Sequence, residues 1–256
     1  MNALDLFQLK GKVAVVTGGA GGLGRFMSEG LAEAGASVAL VDVREEALRN
    51  VEKELKEEGL RVTSHVCDIT NEDQVARTMG EIAKKFGSID VVVNNAGITR
   101  ASPVTSFSLD DWNKVIAVNL TGMFLCSREA CKHMIKRREG KIVNISSVYG
   151  IMADVSPELA YYTTKAGVVG FTRGLALEMA PHNINVNAIA PGFFPSEMTR
   201  PFIEDLDALS YTLARIPMRR IGYPYELKGA VIFLSSKASD GITGQVIPVD
   251  SGWSIW

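Results

Sequence analysis

Thr17-Gly18-Gly19-Ala20-Gly21-Gly22-Leu23-Gly24 is the stretch whose reading decides the fold. It follows the apolar run Val13-Ala14-Val15-Val16 and precedes a helical pattern that ends near Gly35. A glycine-rich turn between strand and helix lets the backbone approach a ligand and lets the two elements pack without side-chain bulk. The helix that begins there directs unpaired N–H groups and a partial positive charge at the turn, which suits a pyrophosphate. Two registers fit: glycines 19, 21 and 24 match G-x-G-x-x-G, and glycines 18, 22 and 24 match T-G-x-x-x-G-x-G. A flexible turn would show the same glycines, so the rest of the chain must decide.

Outward from this turn, strand and helix alternate. Apolar runs at 12–16, 37–42, 61–66, 89–93, 141–145, 184–189 and 246–249 read as strands. Helical spacing marks 22–34, 45–58, 72–86, 109–136, 159–179 and 226–234, with Gly59 and Gly87 as stops. Continuously apolar strands alternating with helices predict a parallel sheet covered on both faces. The expectation is a single doubly wound α/β Rossmann domain over 1–256, with about seven strands. The polar, proline-punctuated segment 191–224 interrupts the rhythm after a strand's C-terminal end, where it is expected to form a substrate lid.

Composition narrows the function. The 256 residues carry a formal charge of −2, with 46% apolar and 22% charged residues, and the pI is near 6.0. There is no basic footprint for nucleic acid. Lys136-Arg137-Arg138, the densest basic cluster, precedes Gly140 and reads as cations at a helix C-terminus. Cys67, Cys126 and Cys131 are odd in number and lack metal-ligand spacing, which suits a reducing interior and predicts no metal. No apolar run reaches the ~18 residues of a membrane span, and no leader pattern opens the chain, so a cytoplasmic location is expected.

Polar residues stand at strand ends. Asp42 closes the second strand, where an acid would bond the adenosine ribose hydroxyls and repel a 2′-phosphate, or cap the next helix. Arg44 is placed to accommodate such a phosphate, whereas Gly21 brings no basic side chain, so NAD is expected over NADP. Asp68 faces the adenine or is a turn residue. Asn94-Asn95-Ala96-Gly97 implies close backbone approach, or an ordinary turn. Asn119, with Gly122 nearby, is a polar break inside a long helix that satisfies a local carbonyl or serves a site. Ser146 and Ser147 end the fifth strand, and alternation lets only one face a given site. Tyr161 and Lys165 share a helical face; Tyr162 is also within reach of Lys165. A nearby lysine with no carboxylate to cancel it lowers a tyrosine pKa toward use as a base.

Taken together, these motifs resemble the short-chain dehydrogenase/reductase family over nearly the whole chain: TGGAGGLG, Asn94 to Gly97, Asn119, Ser147, Tyr161-x-x-x-Lys165 and Pro191-Gly192, in that order. The resemblance selects Tyr161 over Tyr162 and Ser147 over Ser146. It implies that Tyr161 exchanges a proton with the substrate oxygen and that Ser147 hydrogen-bonds that oxygen. Lys165 would bind the nicotinamide ribose and lower the tyrosine pKa, and Asn119 would anchor a water in the proton relay. Implied cofactor contacts are Gly18, Gly22, Leu23, Gly24, Asp42, Asp68, Ile69, Asn95, Ala96, Gly97, Tyr161, Lys165, Pro191, Gly192, Phe194 and Ser196. Ser196 stands where the family often has threonine and keeps the hydroxyl.

The ending VDSGWSIW resembles gluconate 5-dehydrogenase-like members, with Ser251 in place of a common glycine. Arg100, placed to grip a substrate carboxylate, also occurs in 3-oxoacyl-carrier-protein reductases. The loop holding Met152, Asp154 and Pro157 should border the substrate. The implied function is hydride transfer between a nicotinamide cofactor and a small hydroxy or keto substrate, a polyol or sugar acid. The alternatives are 3-oxoacyl thioester reduction and, from another class, a catalytically silent nucleotide-binding regulator. Apolar and small residues on more than one stripe of 109–136 and 159–179 predict helix pairing in a homotetramer, and Trp253 to Trp256 a second interface.

Overall fold

The computed structural model describes residues 2–255. Seven parallel strands form one sheet in the order β3-β2-β1-β4-β5-β6-β7. They are β1 Val13–Thr17, β2 Ser37–Asp42, β3 Val62–Val66, β4 Val91–Asn94, β5 Gly140–Ile145, β6 Ile184–Pro191 and β7 Val246–Val249. Every residue of β1 and β4 is buried, as expected for central strands covered on both faces. Strand order reverses between β1 and β4, the switch point at which the C-terminal ends of the strands open a crevice.

Helices α1 Gly22–Glu33, α2 Glu45–Glu57, α3 Glu72–Phe86, α4 Leu109–Ile116, α5 Met123–Arg137, α6 Leu159–Met179 and α9 Tyr225–Ser235 flank the sheet. Two apolar clusters divide between its faces. One joins Met27 and Leu31 of α1 to Leu227, Val231 and Leu234 of α9. The other joins Val75, Met79 and Ile82 of α3 to Cys126, Ala130 and Met134 of α5. Local signals set the ends of α3: Asn71 accepts a hydrogen bond from the Gln74 amide at 3.0 Å, and Gly87 closes it with φ 83°.

The expected continuous helix over 109–136 is not continuous. Between α4 and α5 the backbone takes a π-helical turn, Ala117–Gly122. The widened turn buries Asn119 and Gly122. A side chain on Gly122 would lie 2.6 Å from Ile69 Cδ1, so the turn packs against the loop after β3.

The segment 191–224 contains two helices not foreseen, α7 Arg200–Glu204 and α8 Leu206–Arg215. The Asp205 carboxylate caps α8, accepting from the Asp207 and Ala208 amides. Ile216 packs with Val148 and Trp253 in a third, small apolar cluster. Trp253 is 1% exposed and stacks edge-on against Phe193 at 4.9 Å. Trp253 therefore packs inside its own chain, whereas Ile255 of the same segment is 75% exposed; Trp256 lies outside the described residues. Among the described residues, no helix is long and apolar enough to cross a membrane, and no group of ligating side chains could hold a metal. The cysteines are free and buried.

Candidate active site

The crevice at the switch point is a cleft of about 500 Å³. One end is built on the glycine turn. Gly18 has φ +66°, and a Cβ there would come within 2.8 Å of Asn95 Nδ2 and 3.0 Å of Ala96 Cα. Gly24 does not line the cleft. It lies where α1 crosses the Gly18 carbonyl, so close that no Cβ fits. The Asn95 amide fastens the two turns together, donating to the Thr17 and Gly18 carbonyls at 3.0 and 3.2 Å. The close approach read from Asn94 to Gly97 is thus in part an approach of one turn to the other.

No side chain caps the N-terminus of α1, and no acid stands in its first turn, whereas α3 and α4 are capped by Asn71 and Ser108. Its free amides face the cleft, an arrangement that fits an anionic pyrophosphate. Farther along this wall, Asp42 is buried. Its Oδ2 accepts from the Ala20 amide at 3.2 Å and its Oδ1 from the Arg44 amide at 3.0 Å. It therefore both lines the cleft and braces the entry to α2. Asp68 likewise lines the cleft while accepting the Thr70 amide and hydroxyl.

At the other end stand Ser147, Tyr161 and Lys165. Ser146 Oγ is spent on the Lys165 carbonyl at 2.9 Å, which leaves Ser147 as the serine turned to Tyr161. Tyr162 is excluded, because its hydroxyl bonds the Asp154 amide and carbonyl at 3.1 and 3.2 Å. Lys165 Nζ lies 5.4 Å from the Tyr161 ring centre and donates to the Ile145 carbonyl at 2.8 Å. Burial, with no carboxylate beside it, lowers the Lys165 pKa to about 8. Burial pushes Tyr161 up to about 12; a hydrogen bond with Ser147 acts against the rise, and the negative charge of Glu158 adds to it.

Asn119 does not line the cleft. Its Oδ1 accepts from the Ile98 amide at 2.8 Å, and its Nδ2 donates to the Ile98 carbonyl at 2.9 Å and to Thr164 Oγ1 at 3.0 Å. The partners of this polar break are not local: Ile98 lies 21 residues away in the chain and Thr164 45, so the side chain ties the widened turn to the loop after β4 and to α6. Arg100 also lies away from the cleft. It donates to the Thr99 carbonyl and pairs with Asp111 at 3.8 Å, because α4 brings an acid to the outer side of the loop. Its guanidinium is thus engaged outside the cleft, on a side chain that is 55% exposed.

The other expected contacts, Gly22, Leu23, Ile69, Ala96, Gly97, Pro191, Gly192, Phe194 and Ser196, all line the cleft. Sequence reasoning missed Glu197, Met198 and Thr199 beside them, since nothing local shows how the segment after β6 folds back. It also missed the buried polar chain behind the site. Asn94 Nδ2 donates to Ser127 Oγ and Asn144 Oδ1 at 2.9 and 2.8 Å, and Asn144 Nδ2 donates to Thr172 Oγ1 at 3.0 Å. That chain pins α5 and α6 to the sheet. Asp154 pairs with Arg215 of α8 at 2.6 Å, tying the loop after Ser147 to the segment after β6.

Comparison with known proteins agrees with this geometry. The short chain dehydrogenase family profile matches residues 12–207. The chain is 40% identical over 250 residues to the 5-keto-D-gluconate 5-reductase of Escherichia coli, covering 97% of each. It is 42% identical over 247 residues to the 3-oxoacyl-[acyl-carrier-protein] reductase of Thermotoga maritima, covering 96% of this chain and 98% of the relative. The solved structure of a gluconate 5-dehydrogenase from Burkholderia cenocepacia, in complex with NADP and tartrate, superposes over the full length of both chains with a TM-score of 0.96 and 38% identity. The chain belongs to the short chain dehydrogenase family.

Proposed function

We propose that this chain is a nicotinamide-dependent oxidoreductase that interconverts a secondary hydroxyl and a ketone on a sugar acid or polyol. The observation that carries the reading is the meeting of Ser147, Tyr161 and Lys165 at one end of a cleft whose other end is an uncapped glycine turn. The dinucleotide, when bound, supplies the site that takes up or releases hydride. The α1 amides hold its pyrophosphate, and Asp42 receives its adenosine ribose. Ser147 donates a hydrogen bond to the substrate oxygen. The Tyr161 hydroxyl exchanges a proton with that oxygen, and the Lys165 ammonium favours the phenolate. Asn119 fixes the π-helical turn against the wall of the site, and the segment 191–224 acts as a lid over the substrate end.

The gluconate-related relatives at about this level of identity support the substrate class. NAD is the preferred cofactor in this reading, because Asp42 is buried and held by two amides and so presents a fixed negative charge to a 2′-phosphate. Identity to the Thermotoga reductase favours a second reading, reduction of a 3-oxoacyl thioester. Steady-state kinetics on a panel of sugar acids, polyols and acetoacetyl thioesters, with each cofactor, separates them. The first reading gives the highest kcat/KM on a sugar acid or polyol with NAD. A thioester as best substrate with NADPH supports the second, and no turnover at all points to a silent regulator.

A further inference from the structure

Arg44 and Glu197 are separated by 153 residues, yet Arg44 Nη1 lies 2.8 Å from Glu197 Oε2. On its other side the guanidinium meets Asp42, with Nε at 3.3 Å from Oδ1 and Nη2 at 3.5 Å from Oδ2. All three residues line the cleft. The pair lies over the open side of the glycine turn: a Cβ on Gly21 would be 3.5 Å from both Arg44 Nη2 and Glu197 Oε1. Two carboxylates thus share one guanidinium at the adenosine end.

The two carboxylates differ in how freely they can leave. Asp42 is buried and also accepts from the Ala20 and Arg44 amides, so it stays. Glu197 is 65% exposed and has only Arg44 as its ion-pair partner among the described residues. A 2′-phosphate brings close to two negative charges and seeks a forked guanidinium edge. While Glu197 holds Nη1 and Asp42 holds Nε and Nη2, three of the five guanidinium N–H donors are engaged, and a 2′-phosphate must compete with Glu197 for the Nη1 side.

We propose that Glu197 is a specificity-determining residue that discriminates against NADP by competing with its 2′-phosphate for Arg44. NAD has no such phosphate and does not contest the pair. The proposal rests on the reading of the cleft as a nicotinamide dinucleotide site, and its test measures binding rather than turnover.

Dissociation constants for NAD and NADP are measured by calorimetry on the wild type, Glu197→Gln, Arg44→Met and the double variant. Glu197→Gln should tighten NADP roughly three- to fivefold, the scale of an exposed ion pair, and change NAD by less than about twofold. In the Arg44→Met background the gain should vanish. An unchanged NADP constant, an equal gain for both cofactors, or a gain that survives without Arg44 each overturns the proposal. Wild type that binds neither dinucleotide overturns instead the reading of the cleft on which the proposal stands.

Discussion

The Asn119 side-chain amide donates to the Thr164 hydroxyl at 3.0 Å, and that hydroxyl donates in turn to the Tyr161 carbonyl at 3.0 Å. One buried hydroxyl therefore links the π-helical turn to the helix that carries Tyr161 and Lys165. Thr164→Val keeps the shape and removes the link, leaving an Asn119 N–H unpaired in the interior. The expected costs are about 1–3 kcal/mol of stability and a fall of about tenfold in kcat, with KM changed less. Thr164→Ser should restore both. Denaturant unfolding and steady-state kinetics check this; wild-type kcat in the valine variant would show that Thr164 does not position the site.

Stability should depend on pH through Lys165. Its folded pKa of about 8 lies below the ordinary 10.5. Between these values the unfolded chain holds a proton that the folded chain has released, so this group's contribution to stability rises with pH. Tyr161 works in the opposite sense at higher pH. Raised from 10.0 to about 12, it keeps its proton while the unfolded chain loses it, so its contribution falls as pH rises above 10. Relative to Lys165→Met, the wild type should gain up to about 3 kcal/mol from pH 8 to 10.5, measured by chemical denaturation. A flat difference would place the Lys165 pKa near its ordinary value.

Assembly follows from the outer faces of α5 and α6. Leu177 is 81% exposed and Phe124 45%, and Gly170 and Gly174 open onto space with nothing within 4 Å of a Cβ. Gly167 is different, because it packs against Leu120 of its own chain. The segment after β6 packs instead on Val148 and Trp253, and the exposure of Phe124 and Leu177 shows that it does not cover them. A homotetramer is expected, with α5 and α6 paired across one twofold axis and the exposed Ile255 of the C-terminal end at a second interface. Light scattering at micromolar concentration should give about four times the chain mass; a mass near 27.7 kDa contradicts the expectation.

How far the sequence could be read depended on the range of the interactions. Helix α3 was legible to its ends because Asn71 and Gly87 are local signals. Helical spacing put Tyr161 and Lys165 on one face but left Tyr162 open, and the choice between the tyrosines came from the family resemblance; Asp42 was legible because it ends a strand next to the glycine turn. The π-helical turn was visible only as misplaced polarity at Asn119: its widening depends on packing of Gly122 against Ile69, from a different part of the chain. Helix α8 carried a readable cap in Asp205, hidden among prolines and polar residues. The partners of Arg100 and Arg44 were not legible. Each side chain is turned by an acid, Asp111 or Glu197, whose position depends on how a loop folds back.

In the proposed mechanism Tyr161 is the group that exchanges a proton with the substrate oxygen. Tyr161→Phe removes the hydroxyl and keeps the ring against Tyr149, which meets it edge-on at 6.3 Å. The decisive measurement is kcat for this variant on the best substrate of the wild type, alongside its dinucleotide dissociation constant. A loss of at least about a hundredfold in kcat is expected, with cofactor affinity changed by less than about threefold. Near-wild-type kcat in Tyr161→Phe, with the loss appearing instead in Tyr162→Phe, would contradict it.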